Sequence, residues 1–276
     1  MGSDNTPDTH TTPGISNTAS NTASTATSQP EVPTEATKGL IPVATGDGSL
    51  TLFSPDFQET YHSIHGALTE SLTVFINGSN LPTLLQANTK ITVLEIGFGL
   101  GLNFLLAADY AATLGTSLEY IAVENKLLPT HVLQSLQYDR HLKQPVLCER
   151  LYHFLATTDA TAAESVTNPQ KAVIGKNITL QLVNNLNDVK AMSAAQDNTV
   201  DVLFLDAFSP DCNQECWTDE IFDTYTRLLS ESGTLTTYSA KGRIRRQLLA
   251  KGFQVERLPG PPGKREFLRA TRTAAI

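Results

Sequence analysis

Nowhere in this 276-residue sequence do apolar residues run for the roughly 18 consecutive positions that a membrane-spanning helix needs. The basic start and apolar stretch of about 7 to 15 residues that mark a secretory signal are also missing, and the N-terminal region lacks the arginines of an organelle transit peptide. Cysteine is scarce. Cys148, Cys212 and Cys216 form an odd, sparse set, so a disulfide framework is not expected, and a reducing compartment, by default the cytoplasm, is. Cys212 and Cys216 have no second Cys or His pair beside them with which to complete a four-ligand zinc site, and no metal is expected. There is no internal repeat, and no coiled-coil heptad calls for an obligate protein partner.

Residues 1–37 hold little besides Ser, Thr, Asn, Ala, Pro and a few acids, a composition that cannot bury enough apolar surface to offset its ordering entropy. They are predicted to be a disordered tail. Met1-Gly2 with Thr6 fits the loose myristoylation pattern, one that a Ser/Thr-rich segment produces easily by chance. With 40% hydrophobic residues overall, the remainder suffices for one sizeable core. Residues 38–88 read as a small N-terminal subdomain containing a hairpin, its pieces 51–63 and 68–79 bracketing His65-Gly66 and forming a lid or wall beside the site.

From about Lys90 onward short apolar runs alternate with longer amphipathic ones, the pattern of a βαβ sheet protein. Residues 91–96, 118–124, 178–183, 200–206 and 233–239 are too short for helices and rich in β-branched side chains, and predict five buried strands. Helices are predicted over 102–114, 129–138, 218–229 and 241–251, with Pro129 suited to a helix start. Residues 253–258 and 265–271, separated by a Pro/Gly loop, add two further strands for a total of seven. The polar stretch 159–176 reads as a surface insertion. The fold class predicted over 89–276 is therefore α/β, a Rossmann-like seven-stranded sheet.

The formal charge of −8 is unevenly distributed: ten of the twenty Lys and Arg residues lie between Lys241 and Arg272, opposed only by Glu256 and Glu266. That window is +8 and the rest −16, an asymmetry that suits an anionic partner docking at one end, though solvated element faces would look the same.

Glu95-Ile-Gly97-Phe98-Gly99-Leu-Gly101-Leu-Asn103 falls where a strand ends and a helix starts, the place for a tight turn that approaches a ligand closely. The dinucleotide fingerprint G-x-G-x-x-G would need glycine at position 102, which is Leu, so the spacing speaks against NAD or FAD. The pattern E-x-G-x-G-x-G resembles instead the first motif of class I methyltransferases. In such enzymes an acidic residue at the end of the second strand receives the ribose hydroxyls of S-adenosyl-L-methionine, and the resemblance implies that role for Glu124, which stands at that strand end. The fourth strand ends in Asp206-Ala207-Phe208-Ser209-Pro210 at the sheet edge where open α/β folds bind ligands. Methyl transfer to nitrogen requires an unprotonated amine aligned with the methyl group, and Asp206 is suited to orient such an amine and accept its proton. Phe208, Trp217 or Tyr238 can stack on a base, although a lone aromatic more often packs in a core.

Over residues 53–272 the succession YHSIHGALTESLTVFINGSNL, EIGFGLGLNFL, IAVENKLLP, LDAFSP, CW, TYSAKGRIRRQL and GPPGKREFLRA resembles a tRNA methyltransferase family. Its members complete 5-methylaminomethyl-2-thiouridine at wobble position 34, as the methyltransferase part of bifunctional MnmC proteins or as stand-alone, MnmD-like enzymes. The resemblance implies methyl transfer from S-adenosyl-L-methionine to the amine of 5-aminomethyl(-2-thio)uridine, with Asp206 catalytic. It also implies that Glu95, Gly97, Phe98, Gly99, Gly101, Asn103, Glu124, Asn125, Asn185, Asp206, Ala207 and Phe208 bind the cofactor. On the tRNA side it points to Phe208, Ser209, Pro210, Trp217 and Tyr238, to Lys241, Arg243, Arg245 and Arg246 as anticodon-arm phosphate contacts, and to Lys264, Arg265 and Glu266 near the target nucleotide. The flavin-dependent oxidoreductase of the bifunctional form has no expected counterpart, since five residues remain after Thr271. One departure stands out: near the end of the third strand the family tends to have Gly-Asp, whereas Val183-Asn184-Asn185 stands here, offering at Asn185 a carbonyl without charge.

A spermidine-synthase-like aminopropyltransferase would share the core, but a cationic substrate does not explain the basic C-terminal window. A catalytically silent RNA-binding protein would need neither Asp206 nor an intact glycine loop.

Overall fold

The computed structural model describes residues 39–161, 169–195 and 197–273, so the expected tail and its myristoylation pattern lie outside the described residues. The chain first builds a three-stranded antiparallel sheet from β1 (Ile41–Ala44), β2 (Leu50–Ser54) and β3 (Glu59–Thr60), in that order. It turns at Gly66 into α1 (Ala67–Glu70), continues as a π-helix over Ser71–Asn77, and adds α2 (Leu81–Ala87). The hairpins thus lie before His65, whereas most of 68–79 is helical. Val74, Phe75 and Ile76 are all buried there, and so short an apolar run reads equally as strand or helix.

The main sheet follows in alternation: β4 (Lys90–Ile96), α3 (Leu102–Leu114), β5 (Ser117–Val123), α4 (Thr130–Ser135) and α5 (Val146–Thr161). Next come β6 (Gln170–Gly175), β7 (Ile178–Val183), α6 (Leu186–Ala195), β8 (Val200–Leu205) and α7 (Asp219–Leu228). The chain closes with β9 (Leu229–Thr237), α8 (Gly242–Ala250), β10 (Phe253–Pro259) and β11 (Glu266–Arg272). The strand order is β10-β11-β9-β8-β4-β5-β7-β6, with the five inner strands parallel and β10, β11 and β6 antiparallel to their neighbours.

The seven expected strands are joined by an eighth, β6, formed from part of the segment that composition marks as a polar insertion. It is an edge strand that buries only Ile174 and Gly175 and leaves Val173 74% exposed, so it carries no alternation to read.

Successive residues of the central strands serve two cores. Val93, Val202 and Phe204 face one with Phe104 and Phe75, while Leu94, Ile96 and Leu203 face the other with Phe222 and Tyr225. Leu52, Phe75 and Leu81 of the N-terminal segment belong to the first core, which is why α3 is buried nearly all round. α7 shows its signals plainly: Thr218 Oγ1 accepts from Ile221 N at 3.3 Å, and Asp219 and Glu220 occupy the first turn.

From β4 the chain winds outward through β5 to β7, then crosses back to β8 and β9. The carboxyl ends of β4 and β8 therefore flank the switch point, the place where such sheets bind ligands. Among the described residues no helix is long and apolar enough to cross a membrane.

Candidate active site

At the end of β4 the chain must leave a buried strand, turn and enter α3 within a few residues. Gly97 makes the first turn: its φ is +93°, and a Cβ there would come within 2.8 Å of the Asp206 carbonyl oxygen and 2.9 Å of Ala207 Cα. Gly97 N and Phe98 N both donate to Val123 O at 3.1 Å, and Gly101 N donates to Phe98 O at 2.8 Å, which fixes the loop against the end of β5. The loop borders a cavity of about 1200 Å³ whose wall includes Gly97, Phe98, Gly99, Glu124, Asn125, Asn185, Asp206, Ala207, Phe208, Ser209, Tyr238 and Lys264.

Glu124, at the end of β5, accepts from Gly99 N at 2.9 Å on one oxygen and from Lys126 N at 3.0 Å on the other. A carboxylate has about four lone-pair sites, and the backbone N–H groups of Gly99, Lys126 and Asn125 leave acceptor capacity for a ribose hydroxyl. Burial holds this carboxyl above the usual glutamate range against those bonds. Glycine turn, free acceptor sites and cavity size together fit S-adenosyl-L-methionine with an acceptor beside it. Asn185 is also in the wall, but its Oδ1 caps α6, accepting from Asn187 N at 2.9 Å and Asp188 N at 3.2 Å. The carbonyl expected to meet an exocyclic amine is already engaged, and the amide nitrogen is what remains.

Behind the wall two carboxylates share one amide. Asn103 Nδ2 donates to Glu95 Oε1 at 2.8 Å and to Asp206 Oδ2 at 2.7 Å, while Tyr120 OH donates to Glu95 Oε2 at 2.9 Å. Glu95, Gly101 and Asn103, expected among the cofactor contacts, are not part of the cavity wall. Glu95 and Asn103 are only 1% and 2% exposed, because the last turn of β4 and the first of α3 aim them inward. Burial, reinforced by Glu124, pushes the Glu95 carboxyl up to about 8. Burial and then the negative charges of Glu95 and Glu70 raise Asp206 well above the ordinary aspartate range, against the Asn103 hydrogen bond.

A carboxyl that holds its proton more tightly folded than unfolded stabilises the fold when protonated, and that contribution is lost as pH rises from the usual value of 4.5 through about 8. The midpoint of thermal unfolding without cofactor is expected to fall between pH 5 and pH 8, and Glu95→Gln to reduce that fall. Identical pH slopes in the two proteins would show that Glu95 ionises without strain.

The opposite wall comes from the N-terminal segment, where residues 51–63 are expected to form a lid or wall and where Phe57, Glu59 and Tyr61 line the cavity. Phe57 stacks on Phe208 with centroids 4.1 Å apart and planes at 18°, and Tyr61 meets the same ring edge-on at 5.1 Å. Glu59 Oε2 accepts from Ser209 N at 3.1 Å, and Asp56 pairs with Lys126 at 3.0 Å. The turn between β2 and β3 thus spans the loops that carry Glu124 and Asp206. The density of aromatics and acids over 53–61 is the one signal that marks it.

Tyr238 OH donates to Ala207 O at 2.9 Å, and Lys264 lies 4.0 Å over the Tyr238 ring while pairing with the buried Glu70. Trp217, expected to face a base, does not: it is 4% exposed, packs in the second core, and donates Nε1 to Phe208 O at 3.1 Å. It supports the Asp206–Pro210 loop from behind. Pro210 is buried and outside the wall, and Glu266 pairs with Arg257 at 3.5 Å.

The basic window is largely compensated within the fold. Lys241 and Arg243 share Asp211, Lys251 pairs with Asp223 and Arg269 with Glu256. Among the described residues no ion pair forms at Arg245, Arg246 or Arg265, the last two exposed.

Residues 154–273 match a family described as S-adenosyl-L-methionine-dependent methyltransferase. The chain is 31% identical over 228 residues to the tRNA 5-methylaminomethyl-2-thiouridine biosynthesis bifunctional protein MnmC of Aromatoleum aromaticum, covering 82% of this chain and 34% of that protein. It is 33% identical over 225 residues to the protein of that name from Pseudomonas syringae pv. syringae, covering 79% and 32%. The chain thus spans about a third of the length of these relatives. Among solved structures, MNMC2 from Aquifex aeolicus superposes with a TM-score of 0.65 at 27% identity, covering 86% of this chain and 72% of that one.

Proposed function

We propose that this chain, an S-adenosyl-L-methionine-dependent methyltransferase similar to about a third of the length of the MnmC proteins, methylates the 5-aminomethyl group of (2-thio)uridine at tRNA position 34, in the cytoplasm, giving 5-methylaminomethyl-2-thiouridine. The observation that carries this reading is Asp206: a carboxylate at the switch point, held by Asn103 and flanked in the wall by Phe208 and Tyr238. When bound, S-adenosyl-L-methionine supplies the activated methyl group. Gly97, Gly99, Glu124 and Asn125 hold it on the β4–β5 side of the cavity.

The acceptor nitrogen must present a lone pair, so its ammonium form has to lose a proton. Asn103 occupies Asp206 Oδ2, and the second oxygen is left for the amine. The raised affinity of Asp206 for protons makes it a stronger base than an exposed carboxylate and closer in pKa to an amine. Phe208 and Tyr238 offer ring faces for the pyrimidine, and the turn bearing Phe57 and Glu59 shields the site from water.

Arg245, Arg246 and Arg265 are assigned to phosphates of the anticodon arm. Lys241 and Arg243 join them by exchanging Asp211 for phosphate, since exposed ion pairs hold weakly. Arg245→Ala with Arg246→Ala is expected to weaken tRNA binding and to flatten log K against log salt by about 0.7 to 0.9 per lost contact. Asp211→Asn, by freeing two cations, is expected to tighten binding. A salt slope unchanged in the double arginine variant removes α8 from the interface.

The test of the function is transfer of labelled methyl from S-adenosyl-L-methionine to two tRNA pools, one carrying 5-aminomethyl-2-thiouridine at position 34 and one lacking the aminomethyl group. Label confined to the first, recovered as 5-methylaminomethyl-2-thiouridine, is the expected result. No label in either, with cofactor binding intact, overturns the substrate.

A further inference from the structure

The geometry points to Asn103 as a positioning residue that orients the Asp206 carboxylate toward the acceptor, with Glu95 and Tyr120 fixing Asn103 in turn. This rests on the reading of Asp206 as proton acceptor. A carboxamide is ambivalent, since one rotamer presents two N–H donors and its flip presents a carbonyl. Only the first holds a carboxylate; the second sets lone pairs against lone pairs. At 2% exposure, solvent does not choose between them. Glu95 chooses: its Oε1 takes one Nδ2 proton at 2.8 Å, which leaves the other for Asp206 Oδ2 at 2.7 Å. Glu95 is itself pinned by Tyr120 OH at 2.9 Å, and the Tyr120 ring packs edge-on against Phe104 with centroids 5.1 Å apart. A chain of three hydrogen bonds therefore runs from a rigid aromatic in the first core to the edge of the cavity.

A second observation agrees. Asn103 Oδ1 is buried and has no hydrogen-bond partner. The side chain keeps its orientation although its own carbonyl goes unsatisfied, as expected where two carboxylates dictate which way the amide faces and not where packing alone put an asparagine there. An amide nitrogen does not relay a proton, so the proton taken up by Asp206 leaves through the cavity. Glu95 acts by position and not as a relay for that proton.

The inference is tested with Asn103→Ala, Asn103→Ser, Glu95→Gln and Glu95→Leu, each first shown by calorimetry to bind S-adenosyl-L-methionine and so to be folded. In methyl transfer to tRNA bearing 5-aminomethyl-2-thiouridine, Asn103→Ala is expected to lower kcat by about 10- to 100-fold, the range for a coupled hydrogen-bonded pair. The acidic limb of kcat/KM should also move to higher pH, because the ionised form of Asp206 has lost a donor. Asn103→Ser keeps one donor and should recover part of the loss. Glu95→Gln, which still offers Asn103 an acceptor, should lose less than Glu95→Leu.

Asp206→Asn, alone and with Asn103→Ala, separates the outcomes. If Asn103 works through Asp206, the second substitution adds no further loss. Losses that multiply, or an acidic limb unmoved in both Asn103 variants, overturn the inference. A near-normal rate for Asp206→Asn alone overturns the reading of Asp206 instead. Should Asn103→Ala fail to fold, Asn103→Ser and the Glu95 pair carry the same comparison.

Discussion

Asp206→Ala is expected to lower kcat for methyl transfer by about 10²- to 10⁴-fold, the usual contribution of a positioned general base, while tRNA binding stays near wild type. The asymmetry follows from where the residue sits. Asp206 begins the loop after β8, with its backbone N donating to Ile96 O at 2.9 Å, so the alanine variant keeps the backbone that shapes the glycine turn. The basic side chains assigned to phosphate lie on α8 and in the loop before β11, away from this contact. What is lost is the group that takes the proton from the amine. The wild-type rate should also fall on acidification, since burial and the charges of Glu95 and Glu70 make Asp206 bind its proton more readily than an ordinary aspartate. In the variant that acidic limb should disappear, leaving only the ionisation of the amine itself. Steady-state rates at saturating cofactor across pH 5.5 to 9 measure both effects. A variant with near-normal kcat, or an acidic limb that stays at its wild-type pH after the substitution, means that solvent removes the proton and Asp206 does not.

How much of this site was legible in the sequence depends on the distance over which its parts are assembled. The glycine turn, Glu124 and Asp206 each sit at a strand-to-helix junction, where a β-branched run followed by glycine or an acid is a local signal. They were placed correctly at strand ends because strand, turn and helix lie within a few residues of one another. The pairing of Glu59 with Ser209 N joins residues 150 positions apart, and no local pattern announces it. Trp217 shows the same limit from the other side: one residue before a helix cap it looks exposed, and only the packing of α7 on the second core makes it structural. The charge window was read correctly as a count and too generously as a surface, because Asp211, Asp223 and Glu70, all outside the window, fold back onto its cations. β6 escaped notice because an edge strand that exposes Val173 has no buried face long enough to impose a period.

Gly97→Ala isolates the physical demand that the first motif meets. Two effects add at this position. With φ at +93° the backbone sits where an L side chain is strained, at about 1 to 3 kcal/mol. The new methyl would also lie 2.8 Å from the Asp206 carbonyl oxygen and 2.9 Å from Ala207 N and Cα, all backbone atoms of the adjoining strand end with no side chain to swing aside. Relief must come from separating the ends of β4 and β8, which lengthens the Asp206 N to Ile96 O bond and shifts the carboxylate that Asn103 holds. The expected result is a stability loss of about 2 to 4 kcal/mol, together with loss of measurable S-adenosyl-L-methionine binding. Gly115→Ala is the control: φ is +75°, so the strain is similar, but nothing lies within 4 Å of the added methyl at the end of α3. It should lose stability by the conformational part alone, about 1 kcal/mol, and bind cofactor as before. Thermal unfolding and calorimetry on the pair separate strain from collision. If Gly97→Ala resembles Gly115→Ala in both, the strand ends have room to part, and the glycine is there for its conformation and not for the close approach of β4 to β8.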